Sequence, residues 1–485
     1  MRKILYTLAF AATILVTSSL MSCSKEETNS FDVPAEGILV AMPGDSGTTT
    51  FDSSNITSIT ATSIPEGWSV DSIDMYTGTI TVTAPTSFDN EEVESGTITL
   101  TGYTPTGDTK SLSIYVAIVS NEVNFYASPA NCYVATQPIT RYIFNPMVGG
   151  NGDTAIALNT AEVKVIWETT DGLIKYLDMR DGKATFYIDD SASEDEEATG
   201  KVQYGNALIG GYDEDGELQW SWHIWVTNNN PMASENTVEL NGQTMMSINL
   251  GAELNSNGST TGSTIYESFG MYYQWGRKDP FVGPHSYTFP GNSDDTLYDG
   301  NNGPMYIEYV ESNAEHGTLN WAISNPYSTI KGNKDNDYDW LYSGHDDELW
   351  SNTTKSNNDP CPAGWRVPDA SLFANMTIAT SYDDMVWEDL QKRYGLLLVN
   401  TTTNAEYFFS AQGRRNYIDC RLDIVNDDAV RPVPWSGYYW TTTTDGGNAK
   451  ALYFDLNTAT RTWNGLDVAR SMHRANGMPV RCVKE

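Results

Sequence analysis

The stretch Thr79-Ile80-Thr81-Val82-Thr83-Ala84 alternates hydroxyl and apolar side chains without a break. Successive strand side chains point to opposite faces, so this is a strand with one wet and one buried face. Working outward, Gly96-Thr97-Ile98-Thr99-Leu100 and Leu112-Ser113-Ile114-Tyr115-Val116 repeat the period, with Gly102 and Pro105-Thr106-Gly107-Asp108 as turns between them. No part of residues 37–120 sustains helical periodicity, and the region is expected to close as a small antiparallel β-sandwich.

A second β unit is expected over residues 121–229. Its strands fall at Val163-Lys164-Val165-Ile166-Trp167, Ala184-Thr185-Phe186-Tyr187-Ile188 and Leu218-Gln219-Trp220-Ser221-Trp222-His223-Ile224-Trp225-Val226. Alternation in the last puts Trp220, Trp222 and Ile224 on one face and Ser221, His223 and Trp225 on the other. Both faces are partly aromatic, which suits a central strand packed on both sides with His223 satisfied inside it. Glu194-Asp195-Glu196-Glu197 reads as a solvated turn, and Asn228-Asn229-Asn230-Pro231 as a linker.

The N-terminus has a different purpose. Met1-Arg2-Lys3 is basic, an apolar run extends from Ile4 to Val16, and Leu20-Met21-Ser22-Cys23 follows. That order is a signal peptide over residues 1–22, and the run is too short for a spanning helix, which needs ~20 apolar residues. The segment ending in Cys23 resembles the lipobox at which bacterial lipoproteins are cut and acylated, implying a membrane anchor at Cys23. Ser24-Lys25-Glu26-Glu27 resembles the export tag of surface lipoproteins of Bacteroidota, implying an outer-membrane, cell-surface location. Residues 23–36 are polar and expected to be a tether.

Acids outnumber bases 63 to 28, for a formal net charge of −35 with no basic cluster. Nucleic-acid binding, which needs a positive patch against phosphates, is excluded on that ground. Cys132, Cys361, Cys420 and Cys482 lack metal-ligand or Cys-x-x-Cys spacing, so bridging in an oxidising compartment is their expected use.

Residues 230–485 have another texture, with Gly- and Asn-rich loops between aromatic blocks. Helices are expected at Pro368-Asp369-Ala370-Ser371-Leu372-Phe373, capped by Asp369, and over residues 383–395, where Val386, Leu390 and Tyr394 share a face and Gly395 ends it. Five blocks occur in order: Gly242-Gln243-Thr244-Met245-Met246-Ser247-Ile248-Asn249-Leu250-Gly251-Ala252; Tyr272-Tyr273-Gln274-Trp275-Gly276-Arg277-Lys278-Asp279-Pro280-Phe281; Asp359-Pro360-Cys361-Pro362-Ala363-Gly364-Trp365-Arg366-Val367-Pro368; Tyr438-Tyr439-Trp440-Thr441-Thr442-Thr443; and Gly477-Met478-Pro479-Val480-Arg481-Cys482-Val483. They resemble the Fibrobacter succinogenes major paralogous domain, found in surface lipoproteins of Bacteroidota. The opening block departs from that pattern at Met245 and Ser247-Ile248. The resemblance implies a C-type-lectin-like α+β domain and, by analogy with lectin-like folds, a bridge from Cys361 to Cys482. Upstream, Pro65-Glu66-Gly67-Trp68-Ser69-Val70 resembles a corner of immunoglobulin-like repeats of the BACON type. The fold class is therefore a multidomain, mainly β chain: two N-terminal β-sandwiches followed by the lectin-like domain.

Catalytic patterns are missing from the sequence. The five histidines never fall at helical metal-pair spacing, and no Gly-x-Ser-x-Gly elbow or phosphate loop occurs. Trp463-Asn464-Gly465 lacks the acid that calcium lectins carry there. Asp335-Asn336-Asp337-Tyr338-Asp339 could offer oxygens to Ca2+ from Asp335, Asp337 and Asp339. However, an EF-hand register would place Trp340 where glycine belongs, which favours a solvated loop.

No enzyme is expected. The expected role is binding of glycans or host glycoproteins, with the loops Gly291-Asn292-Ser293-Asp294-Asp295 and Asp299-Gly300-Asn301-Asn302-Gly303 free to vary, and Trp350, Tyr438 and Trp463 as candidate sugar-stacking aromatics. The alternatives are a fimbrial subunit or tip adhesin, or a structural partner in an outer-membrane complex. The first arginine after Cys23 is Arg141, too deep for the early cleavage that fibre assembly by strand exchange resembles.

Overall fold

A computed structural model describes residues 30–485 except 33–36, 41–43, 86–94, 120, 181, 191–199, 256–261, 284–296, 302, 383–393, 424–435, 458–461 and 464. It is mainly β, as alternation requires. In the first sandwich, the strands Ile38–Val40, Thr109–Ile118, Ser95–Tyr103 and Ser58–Ser63 form one sheet in that spatial order. Ser46–Thr50, Thr79–Thr83 and Ser69–Asp74 form the other. Ile80, Val82, Ile98, Leu100, Ile114 and Val116 meet between them, each fully enclosed. Burying such a side chain is worth about 2 kcal/mol, which is why the period of two settles the fold here.

Gly67 has φ +77° in the turn where Trp68 donates its backbone N–H to Pro65, and the indole enters this core. The expected tether is shorter than residues 23–36. Ser30–Asp32 pairs with Asp52–Ser54, and Phe31 is buried, because one aromatic gains more from the core than from solvent.

The second sandwich has a four-stranded sheet, Asn121–Asn124, Thr140–Phe144, Lys183–Ile188 and Lys175–Arg180, facing a six-stranded one. The latter runs Cys132–Ala135, Leu218–Val226, Gly205–Tyr212, Glu162–Glu168, Leu297–Tyr298 and Pro304–Met305. Its last two strands come from beyond residue 230, so the sheet crosses the expected domain boundary. The core crosses it too. Trp220, Trp222 and Ile224 pack into the sandwich, whereas Trp225 and Leu208 pack on the opposite face with Trp275, Trp340, Trp350 and Trp440. Leu218–Val226 is thus buried on both faces, as its aromatic pattern predicts. A face-to-face stack of Tyr115 on Tyr176, with ring centroids 3.6 Å apart, joins the first sandwich to the second.

Each of the five sequence blocks of residues 230–485 contributes to that second core, through Ile248, Trp275, Val367, Trp440 and Val480 among others. The two ends of this region close on each other: Met245 pairs with Val483, and Cys361 is bridged to Cys482. Helix is sparse among the described residues. Among the described residues one α-helix occurs, Leu319–Ser324, where Thr318 Oγ1 accepts from the Trp321 N–H. Asp369 does cap, but its helix is a four-residue 3-10 turn, Ala370–Phe373. The second expected helix lies outside the described residues as far as 393, and Gly395 opens the strand Gly395–Asn400. No helix among the described residues is long and apolar enough to cross a membrane.

Candidate functional site

The acidic loop does not converge on a cation. Asp335 is exposed and pairs with Lys334 at 3.0 Å. Asp337, in the left-handed region at φ 55°, lies 3.4 Å from His345 Nε2. Asp339 is buried, accepting from His345 Nδ1 at 2.9 Å and from the Leu341 N–H at 3.1 Å, with Arg474 Nε 3.9 Å away. Each acid is answered by a cation or donor of the chain itself, which corrects the calcium reading of Asp335, Asp337 and Asp339. No group of three or more His, Cys, Asp or Glu able to hold a metal ion occurs among the described residues.

Trp350 is also corrected: it is wholly buried, with Nε1 donating to the Asn358 carbonyl, so no sugar can stack on it. Trp463 forms part of a two-residue strand opposite Leu456, and its side chain lies outside what the structure describes. Of the two expected variable loops, residues 291–295 lie outside the described residues. In the second, Asp299 Oδ1 accepts from the N–H groups of Asn301 and Gly303. The flanking strands Leu297–Tyr298 and Pro304–Met305 pair in the six-stranded sheet.

A buried array that the sequence reading overlooked links the two halves. Lys278 Nζ donates to Asp279 Oδ1 at 2.6 Å and to both Ser221 Oγ and the Ser221 carbonyl, and lies 4.6 Å above the Trp220 ring. Ser221 Oγ in turn donates to Asp279 Oδ1 at 2.7 Å. A serine, lysine and carboxylate in contact could activate a hydroxyl nucleophile. All three side chains are buried, however, and they line neither the cavity beside Tyr204 and Tyr266 nor the one beside Pro129 and Lys355. Burial presses Lys278 below its usual range while Asp279 opposes the shift. Their arrangement fastens a strand of the sandwich to the second sequence block.

One expected aromatic, Tyr438, leads to a surface. Its ring is largely buried and packs on Tyr453 at 5.1 Å, its partner across the antiparallel pair Ser436–Asp445 and Asn448–Asn457. Arg470 is exposed on the neighbouring strand Asp467–His473 and lies 4.0 Å over Tyr453. Arg414 reaches over Tyr438 at 5.2 Å and Tyr417 at 5.9 Å, oriented by two N–H bonds to Asp423 Oδ2. Tyr417, Tyr338 and His473 then pack mutually, with ring centroids 4.4 to 5.0 Å apart.

The outcome is a continuous row of rings and guanidinium groups. Tyr338, Arg414, Tyr417 and His473 are half-buried within it. The local backbone explains the placement. Tyr338 follows Asp337 in the left-handed region, and its N–H is held by the Asn333 carbonyl. Tyr417 sits in a turn closed by Cys420 N–H to Asn416 O, with its own carbonyl accepting from Gly332. His473 Nδ1 contacts Asn448 Oδ1 at 2.8 Å and the Asp337 carbonyl at 3.0 Å, so it carries the proton and Nε2 is an acceptor. Burial, reinforced by Arg414, lowers the His473 pKa, against the opposing pull of Asp337. Apolar ring faces beside Arg donors and a His acceptor suit a polyhydroxylated ligand.

No family model and no curated protein matches the chain. Solved structures with partial likeness include mouse clustered protocadherin domains EC1-3 (14% identity, 41% of this chain and 68% of that one, TM-score 0.15). The D00-D0 domain of intimin (9%, 41% and 96%, 0.18) is another. A third is SGBP-B of the Bacteroides ovatus mixed-linkage glucan utilization locus in complex with a mixed-linkage heptasaccharide (12%, 41% and 45%, 0.13). TM-scores this low carry nothing over to this chain.

Proposed function

We propose that this chain is a lipid-anchored, non-catalytic binding protein of a bacterial outer-membrane surface, and that it binds glycans or glycoprotein glycans through the row from Tyr338 to Arg470. The observation that carries the reading is that contiguous row, in which the half-buried Tyr338, Tyr417 and His473 and the exposed Arg470 reach the surface while Tyr438 and Tyr453 back them from the core. Cys23 would supply the anchor, and the first sandwich would hold the binding region away from the membrane. Membership of the Fibrobacter succinogenes major paralogous domain family is part of the proposal, supported by the five blocks meeting in one core.

Ring stacking adds roughly 1 kcal/mol per aromatic, so a single sugar should bind weakly and an oligosaccharide spanning several rings more tightly. The test is a glycan-array and mucin screen of the full chain. Selective retention of oligosaccharides supports the proposal. Failure to retain any glycan, while neighbouring outer-membrane proteins co-purify with the chain, would replace it with a structural role.

A further inference from the structure

A recess opens where the sandwich meets the C-terminal region. It has a volume of about 200 Å³, and the rings of Tyr204, Tyr266 and Phe269 line it together with Glu253 and Glu267. That volume is slightly more than the ~150 Å³ that encloses a benzene ring, so it admits one small group and not an oligosaccharide. Tyr204 is 43% exposed and stands as its accessible edge, its hydroxyl donating to Glu267 Oε1 at 3.1 Å. Glu253 is fixed by N–H donors of Asn228 and Asn229, 3.2 to 3.3 Å away.

No lysine, arginine or histidine is among the residues lining the recess. Two carboxylates therefore stand beside aromatic rings with no basic side chain among the described residues that line the recess. Burial raises the Glu253 pKa and nearby Glu267 adds to the shift, while hydrogen bonds from Thr227 and Asn228 oppose it. A divalent ion is poorly served by two acids, and no three-residue metal group occurs among the described residues. An alkylammonium fits better. Its N–H groups can donate to the carboxylates while its C–H surface lies on the rings, where the quadrupole attracts a cation.

We propose that this recess binds a small organic ammonium group, carried either by a free amine or by an amino sugar. The site is separate from the Tyr338–Arg470 row and does not depend on it.

The test titrates the full chain with glucosamine, cyclohexylammonium, N-acetylglucosamine and calcium chloride, by calorimetry and ligand-observed NMR. Losing a charge-assisted hydrogen bond costs about tenfold or more in affinity. Glucosamine and cyclohexylammonium should both bind, and N-acetylglucosamine, the same ring without the charge, should bind at least about tenfold more weakly. Binding of glucosamine alone would assign the amino sugar as the source, and comparable binding of both would assign any small amine. Glu267→Gln, checked for an unchanged thermal midpoint, should weaken amine binding to the same extent, and so should Tyr204→Ala. Tyr417→Ala should leave it unchanged. Equal binding of N-acetylglucosamine and glucosamine, unaltered affinity in Glu267→Gln, or binding of calcium without the amines would each overturn the assignment.

Discussion

Replacing Lys278 by methionine preserves the length of the side chain and removes one charge from the array that joins the two halves. Asp279 would keep the Ser221 hydroxyl and Arg277 Nη2 at 4.0 Å, but lose its 2.6 Å ammonium partner in a fully enclosed site. Breaking a buried pair on one side costs about 3–5 kcal/mol, because the remaining charge is stranded. The residual Arg277 contact places the expectation at about 3 kcal/mol. Removing both charges, as Lys278→Met with Asp279→Leu, should restore most of that loss, since a buried pair replaced by apolar groups is often neutral. Urea unfolding followed by tryptophan emission reads this directly, because Trp220, Trp275 and Trp340 are enclosed around the joint. With a slope near 3 kcal/mol per molar, the single variant should shift the midpoint by about 1 M. A shift below about 0.3 M, or a double variant that loses the sum of both singles, would refute the reasoning.

His223 makes a pH prediction. Asn206 gives its amide N–H to Gly251, leaving its oxygen to accept from His223 Nε2 at 2.8 Å, and burial pushes the ring down to about 3. Below the ordinary pKa near 6.5 the unfolded chain binds a proton that the folded chain refuses. Stability is therefore full above that value and falls by about 1.4 kcal/mol per pH unit as pH drops toward 3. His223→Gln should show a shallower acid slope, and identical slopes in both proteins would count against this. Opening the Cys361–Cys482 bridge by Ser substitution at both positions frees a span of 121 residues, worth up to about 5 kcal/mol in the chain-entropy model; an unchanged urea midpoint would contradict it. Cys23→Ala should move the protein from the membrane to the soluble fraction and abolish labelling by fatty acid, whereas continued membrane retention would remove the anchor.

Strands were the legible part of this chain because period two is a local property. Leu218–Val226 agrees with its sequence reading at both ends, and its two aromatic faces foretold two cores. What lay beyond local pattern is the partnership of those cores. Nothing near Leu297 indicates that it joins a sheet begun at Cys132, since strands of two residues have no readable period. Helix Leu319–Ser324 is similarly too short for periodicity, and only its Thr318 cap signals it.

Arg277, Lys278 and Asp279 look solvated by composition, yet each finds partners inside. The aromatic row is least legible of all. Tyr338, Tyr417, Tyr438 and His473 come from separate segments, and only their folded proximity distinguishes them from the other tyrosines. Tyr438 was reachable through its sequence block. Its neighbours carried no sequence signal.

The central claim is that this row, and not some other aromatic, receives the glycan. Tyr76 supplies the contrast, being 98% exposed on a hairpin of the first sandwich. The decisive measurement is the affinity of the best array ligand for the full chain and for its Tyr417→Ala and Tyr76→Ala variants, by calorimetric titration. Loss of a stacking ring and of the Arg414 and His473 packing it supports should weaken binding about tenfold in Tyr417→Ala and leave Tyr76→Ala at parent affinity. Parent affinity in Tyr417→Ala, or a loss confined to Tyr76→Ala, would contradict the account.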